Sequence, residues 1–548
     1  MSRILLELDL TRGLTEPPPT TPLGMIRARH IPSLRQLTAA LRRARDDQRV
    51  AGLVAHVGGP ALTMAQTQEL RDAVAAFRAA GKRVVAWSES FGEVGHGTVP
   101  YYLASAADEV WLQPSGEFGV TGVSVEAMFL RDALDKAGVV PQLSKRKEYK
   151  TAADTFLERG FTGPARQMVE RLAASVYEQI TDGIAAARDL PSDRVRELVD
   201  SAPLTASAAV EAKLVDRLGY RADVYDDLRR KLGPFEPKLV ERYTRRRPRS
   251  VSDVLPQRTK PAVAVIQLSG GISLGRSGGG RPGGSGIGSD TVGAALRAAR
   301  RDEHVRAVVL RVDSPGGSYV ASDAIRDEVL RVRGSGRPVV ASMGSVAASG
   351  GYFVSMPADV VVAQPGTITG SIGVLAGKGV LRDALAKVGI TREGVAEGRN
   401  ARMYSAQEEF SDDQWARLDE ILDRIYADFV GKAAQDRAMP FDDLEKVARG
   451  RVWTGADARS HGLVDELGGL DRAIDLACDQ AGVDREEVAL RALPHRTILD
   501  RVKPPESTDD IAVTTALPSV DGIASAVYMA LGLPPLGVLT LPVTFTIH

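Results

Sequence analysis

Residues 108–139, DEVWLQPSGEFGVTGVSVEAMFLRDALDKAGV, align without a gap on residues 359–390, DVVVAQPGTITGSIGVLAGKGVLRDALAKVGI. The offset is 251 and 14 of 32 positions are identical, where chance gives about two. The match extends upstream, YYLASAAD (101–108) on YFVSMPAD (352–359) and VAGLVAHVGGP (50–60) on VRAVVLRVDSP (305–315). After a two-residue slip it continues downstream, FTGPARQMVERLAASVY (161–177) on FSDDQWARLDEILDRIY (410–426). A chain of 548 residues is too long for one ordinary core, and the duplication says how it divides. Each half must close the same small fold.

The pattern within a half is α/β. Short β-branched runs such as AVVLRV (307–312) and PVVASM (338–343) read as buried strands. They alternate with helical patterns such as SDAIRDEVLRVRG (322–334), an order that predicts mainly parallel sheets. Met168, Leu172, Val176 and Ile180 step by four along one helix face. The polar, proline-bearing stretch 245–261 reads as a linker. The expected organisation is a first repeat over 1–244, the linker over 245–261, a second repeat over 262–505 and an apolar tail over 506–548.

Composition removes several classes. Lys+Arg and Asp+Glu both count 70, so no basic excess points to nucleic acid. Cys478 is the single cysteine, so no internal disulfide can form. The apolar run Ile4–Leu6 is stopped by Glu7 and Asp9, which predicts neither a signal-peptide core nor a starting membrane anchor. From Gly522 to Ile547 there is no charged side chain, but Pro534, Pro535 and Pro542 interrupt the run. That disfavours a spanning helix. It predicts a tail docked on the protein or on a partner subunit, with peripheral lipid contact as the alternative. The glycine-rich stretch 270–288 lacks a Gly-Lys-Ser/Thr ending and reads as a loop rather than a phosphate cradle. No zinc spacing and no dinucleotide fingerprint is present, so no metal or cofactor is expected.

The repeats act as controls for each other. Ser349, in ASMGSVAASGGYFVS (341–355), falls on Thr98, and Gly350 and Gly351 fall on Val99 and Pro100. DSPGG (313–317) also occurs only in the second half. Glycines beside a serine let backbone N–H groups approach an attacked carbonyl, and Gly316 and Gly350 are the candidate donors of an oxyanion hole. A serine needs a base. None of the seven histidines, His30, His56, His96, His304, His461, His495 and His548, sits in a triad pattern. Lysines instead stand in QLSKRKEYKTAADTFLERGFTGPARQ (142–167), at 145, 147 and 150, whereas its counterpart 395–414 has none. Lys150 falls opposite Ala401 or Arg399, depending on where the gap lies. One half has the serine and the other the lysine, as a divided Ser–Lys dyad would. A lysine base must be neutral near pH 7, a shift of about 3 units from its usual pKa. Burial would supply most of it, with Lys145, Arg146 and Lys147 adding repulsion.

Taken together, VLRVDSPGGS (309–318), SMGSVAASGGYFVSMPAD (342–359), TITGSIGV (367–374) and EYKTAADTF (148–156) resemble the signal peptide peptidase A (protease IV) family in its long, duplicated form. The resemblance covers about residue 45 to about residue 480. It implies tandem Clp-protease/crotonase-like ββα spiral domains. It implies Ser349 as nucleophile, Lys150 as general base, Gly316 and Gly350 as the oxyanion hole and Ser371 as a residue orienting the lysine. Val120 stands opposite Ser371 in the first repeat. It also implies a homotetramer acting on cleaved signal peptides and other unfolded apolar segments. Many long-form relatives begin with a membrane anchor, which is not read here, so a cytoplasmic or a peripheral membrane location are both open. Two other readings share the fold: a crotonase-like acyl-thioester enzyme, and a non-catalytic membrane-associated scaffold.

Overall fold

The computed structural model describes residues 3–16, 31–59, 62–243, 260–277, 286–494 and 538–540. Most of the expected linker and tail, residues 278–285 of the glycine-rich stretch, and His30, His495 and His548 lie outside the described residues.

Two sheets carry the two repeats, the first parallel throughout and the second parallel except at its edge strand Val452–Thr454, which runs antiparallel to Ile368–Gly370. The first runs Arg217–Leu218, Glu109–Leu112, Arg83–Ser88, Val50–His56, Arg3–Asp9, Phe235–Leu239, with every neighbouring pair parallel. The second runs Val452–Thr454, Ile368–Gly370, Val339–Ala348, Val305–Ser314, Ala262–Ser269, Ala489–Leu493, with Val360–Ala363 and Glu466–Leu467 branching from Val339–Ala348. The run 307–312 lies inside Val305–Ser314, the run 338–343 enters Val339–Ala348 one residue after its start, and 322–334 lies in the helix Tyr319–Gly334. These strands are buried on both faces, which is why they read as continuous apolar runs without alternation.

Each sheet has its own core, Leu6, Leu53, Val84 and Val110 in the first and Ile266, Leu310, Val339 and Val361 in the second. The helix Gly163–Arg188 joins them. Val176 and Ile180 enter the first core, while Met168 and Leu172 on the same stripe pack against Ala348, Ile368 and Val452 of the second half. A four-residue step gave the helix and its buried face. It did not say that the face would be shared by two domains.

A second joint is a strand exchange. Val140–Lys145 of the first half pairs antiparallel with Leu375–Val380 of the second. This ribbon leads the chain directly to Lys150.

Candidate functional site

The strand Val339–Ala348 splits its partners. Val340–Ser342 pair with Val360–Val362, and Val346–Ala348 pair with Ile368–Gly370. On its other side the register jumps between Val312 and Ser314. The Asp313 carboxylate fills the jump by accepting the Val346 N–H at 3.0 Å. Asp313 of DSPGG therefore shapes the strand, and the two glycines behind it are delivered to the strand's end.

Ser349 sits at that end, in front of the short helix Gly350–Ser355. Its backbone has φ 55° and ψ −113°, a conformation that costs a non-glycine residue of the order of 1–3 kcal/mol. Ser371 also has positive φ, 51°. Neither Thr98 nor Val120, their counterparts, does, so the strain belongs to the serine half alone. The Ser349 N–H is held by Gly370 O at 2.8 Å and the Ser371 N–H by Arg451 O at 2.7 Å.

Glycine is required beside Ser349 for closeness. A Cβ on Gly350 would lie 3.1 Å from Gly316 Cα and from Gly317 N, and one on Gly351 would lie 2.5 Å from Ser314 O. The Gly350 N–H opens a helix and has no acceptor within it. The Gly316 N–H faces Ser314 Oγ at a long 3.2 Å, and that hydroxyl itself donates to Gly270 O at 2.7 Å. Both candidate donors thus border one small space next to Ser349.

Lys150 reaches this space from the other half. Nζ lies 2.8 Å from Ser349 Oγ, 3.0 Å from Ser371 Oγ and 3.2 Å from Ser371 O. Lys150, Ser349 and Ser371 are all fully buried. A neutral amine has two N–H groups and one lone pair. Two N–H groups directed at Ser371 leave the lone pair facing the Ser349 hydroxyl. Burial alone holds the Lys150 pKa well below its ordinary value, and no carboxylate opposes it.

The repulsion expected from neighbouring cations does not contribute to that shift. Each is matched by acid: Lys145 pairs with Asp154, Arg146 with Asp419 at 2.9 Å, and Lys147 with Glu445 at 2.9 Å. Instead these charges tie the lysine loop down, and Arg449 adds a two-point bond to Glu148 at 2.8 and 3.0 Å. Gly450 closes the loop from behind. A Cβ there would lie 2.5 Å from Lys150 N and 2.7 Å from its Cα. Gly450 and Gly373 (whose Cβ would sit 3.2 Å from Lys150 Cδ) were not singled out in the sequence. The only local signal was a glycine set between two arginines in ARGRVW (448–453).

The gap ambiguity is resolved by a repeated contact. Leu130 N–H bonds Thr155 O and Leu381 N–H bonds Ala406 O, both at 2.7 Å and 251 residues apart. The slip therefore falls after these residues, and Lys150 matches Ala401. Among the described histidines none bonds Ser349 or Lys150. His96 is exposed, His56 bonds Glu89 at 2.7 Å, and His461 lies against Trp453.

Behind the site lies a buried charge cluster that joins the halves. Arg311 Nη2 pairs with Glu69 at 2.6 Å and Arg311 Nε donates to Glu16 at 2.7 Å. One guanidinium thus faces two carboxylates, with Asp313 nearby. Burial pushes Glu69 up to about 7 against the pull of Arg311, and burial together with Glu16 pushes Asp313 up to about 6.

One more strand touches the site. Leu539–Thr540 runs antiparallel to Gly316–Gly317, with Gly316 opposite Thr540. On its other edge, Leu375 N–H bonds Val538 O at 3.0 Å.

Against known proteins, the model described as peptidase family S49 matches residues 76–233 and 331–484. "Protease 4" of Salmonella typhi is 33% identical over 460 residues, covering 82% of this chain and 72% of that protein. "Serine protease SPPA, chloroplastic" of Arabidopsis thaliana is 30% identical over 482 residues, covering 87% and 69%. "Protease 4" of Haemophilus influenzae is 30% identical over 494 residues, covering 86% and 77%.

Proposed function

We propose, from the premise that this chain belongs to peptidase family S49 and is a serine peptidase, that it works through a Ser–Lys dyad divided between its two halves. The observation that carries this reading is the 2.8 Å approach of a buried lysine, without an acidic partner, to a buried serine. Ser349 Oγ attacks the peptide carbonyl as Lys150 Nζ takes its proton. The developing oxyanion is received by the N–H groups of Gly350 and Gly316. Lys150 then gives the proton to the leaving amine, and water, deprotonated by the same amine, hydrolyses the acyl ester. Ser371 holds the amine through its hydroxyl and carbonyl oxygen.

The substrates proposed are cleaved signal peptides and other extended apolar segments. The support is the segment Val538–Thr540, whose strand Leu539–Thr540 pairs with Gly316–Gly317 and whose Val538 carbonyl accepts the Leu375 N–H, as a peptide would. Adding a strand gives backbone bonds with little demand on sequence. The repeats over 1–244 and 262–505 are proposed as the functional units and a homo-oligomer, a tetramer by family resemblance, as the working form. Peripheral membrane contact belongs to the same proposal; among the described residues no helix is long and apolar enough to cross a membrane.

The test is mass spectrometry of products from a synthetic signal peptide. Wild type is expected to cut it, and Ser349→Ala and Lys150→Ala to lose turnover by on the order of 10⁴-fold or more, since the two act as a unit. Cleavage by Ser349→Ala at the wild-type rate would overturn the reading.

A further inference from the structure

Ser371 holds the lysine, and the edge strand Val452–Thr454 holds Ser371. The Ser371 N–H donates to Arg451 O at 2.7 Å, and Gly370 stands opposite Val452 in the antiparallel pair. The bonds of such a pair alternate along it. With Ser371 bonded to Arg451, the Val452 N–H turns away from Gly370, towards the outer edge of the sheet. Among the described residues no further strand pairs with that edge, and Val452 is only 1% exposed. A buried N–H left unpaired there would be costly. A side chain of the other half takes it: the Val452 N–H donates to Met168 Sδ at 3.2 Å.

The helix Gly163–Arg188 runs on along the edge. Ser175 Oγ lies 2.8 Å from Thr454 Oγ1, and Arg171 bonds Asp457 at 2.8 and 3.0 Å. Those contacts fix the far end of the strand. Met168 is the contact at its near end, where the chain arrives through two residues of positive φ, Arg449 at 52° and Gly450 at 80°. A thioether is a weak acceptor and methionine is a common filler of cores, so the bond alone assigns no role. The first repeat supplies the control. Leu204–Thr205 pairs with Glu117–Phe118 as Trp453–Thr454 pairs with Ile368–Thr369. Pro203 therefore stands where Val452 stands, and proline has no N–H to satisfy. Met168 falls on Arg417, whose side chain is 70% exposed and pairs with Glu420 at 3.5 Å. Val120 takes the place of Ser371. The donor, the thioether and the serine occur together at one site and are replaced together at the other.

We propose that Met168 is a positioning residue of the peptidase site: by accepting the Val452 N–H it fixes Arg451 O, through it Ser371, and through Ser371 the Lys150 amine. The inference rests on the Ser–Lys reading and extends it. The first half then supplies the base and also the brace behind the residue that aims the base. The brace serves the nucleophile as well, because Gly370, opposite Val452, accepts the Ser349 N–H on its carbonyl at 2.8 Å.

Steady-state kinetics of Met168→Leu on a synthetic signal peptide tests it. Leucine keeps the volume and the apolar contacts with Ala348 and Ile368, and it removes the acceptor. kcat is expected to fall about 10-fold, short of the roughly 100-fold that a 1 Å displacement costs. KM should not change, and the midpoint of the pH–rate profile should move in the same direction as in Ser371→Ala. Because Met168 acts through Ser371, adding Met168→Leu to Ser371→Ala should lower kcat by less than about twofold further. A wild-type kcat in Met168→Leu, a change in KM alone, or the full loss repeated on top of Ser371→Ala would overturn the inference. The dyad is read separately, by fluorophosphonate labelling of Lys150→Ala. Labelling there at the wild-type rate would overturn the dyad and the brace together. Slow labelling there, with a wild-type kcat in Met168→Leu, would overturn the brace alone.

Discussion

Lys150 Nζ stands 2.8 Å from Ser349 Oγ across 199 residues of sequence, and its other two contacts are both to Ser371. Nothing negative shares the pocket, so the amine is kept neutral by the cost of burying its charge.

That cost has a sign in stability. The unfolded lysine binds a proton up to about pH 10.4. The folded one releases it well below the ordinary value. Between those two pKa values the unfolded state holds more protons, so stability rises with pH over that window. Lys150→Met removes the penalty. It should melt higher than wild type at pH 7, and the difference should shrink as the pH approaches about 10, read from melting curves at several pH values.

Ser371 is a positioning residue. Ser371→Ala leaves the carbonyl contact but deletes the hydroxyl at 3.0 Å. We expect kcat to fall roughly 10- to 100-fold with KM unchanged, and the midpoint of the pH–rate profile to move. A change in KM alone would mark a structural role.

Gly450→Ala should silence the enzyme without unfolding it. The residue has φ +80°, and its new Cβ would meet the Lys150 backbone at 2.5 Å. The lysine loop must shift, and a displacement of about 1 Å at such a site costs on the order of 100-fold. Labelling of Ser349 by a fluorophosphonate should slow by that factor, with circular dichroism unchanged.

What the sequence disclosed follows from what duplication makes comparable. Ser349 and Lys150 were visible because Thr98 and Ala401 are what a half looks like without them. The buried strands were visible as β-branched runs. Gly450 was not visible, because its reason is Lys150, some 300 positions away. The strand exchange of Val140–Lys145 onto Leu375–Val380 was not visible either, since no local pattern says which half a ribbon will join. The same holds for Arg311, a charge inside the run AVVLRV (307–312) whose partners no local pattern names. It is buried against Glu69 and Glu16, from the first half.

That cluster yields its own expectation. Arg311→Met leaves buried carboxylates without a counter-charge, and breaking such a pair costs about 3–5 kcal/mol. Glu69 and Asp313 have pKa values raised to about 7 and about 6 with Arg311 present. Without it they rise further. The loss should be greatest at pH 8, where both are ionised, and smaller at pH 5, where both are protonated. Chemical denaturation at the two pH values reads the difference.

The segment Val538–Thr540 lies where a peptide substrate is proposed to lie, so it should compete with one. Val538→Asp places a charge in a residue packed on the second core and should loosen the strand. KM for a short peptide should fall several-fold with kcat little changed, measured by steady-state kinetics.

The most direct test of the divided dyad is the rate of fluorophosphonate labelling against pH, with intact mass identifying the adduct. Wild type should gain one adduct, on Ser349, at a rate that rises through a midpoint well below the ordinary lysine pKa. Ser349→Ala should gain none, and Lys150→Ala should label at least about 100-fold more slowly. Labelling of Lys150→Ala at the wild-type rate, or a wild-type adduct on any residue other than Ser349, would contradict the account.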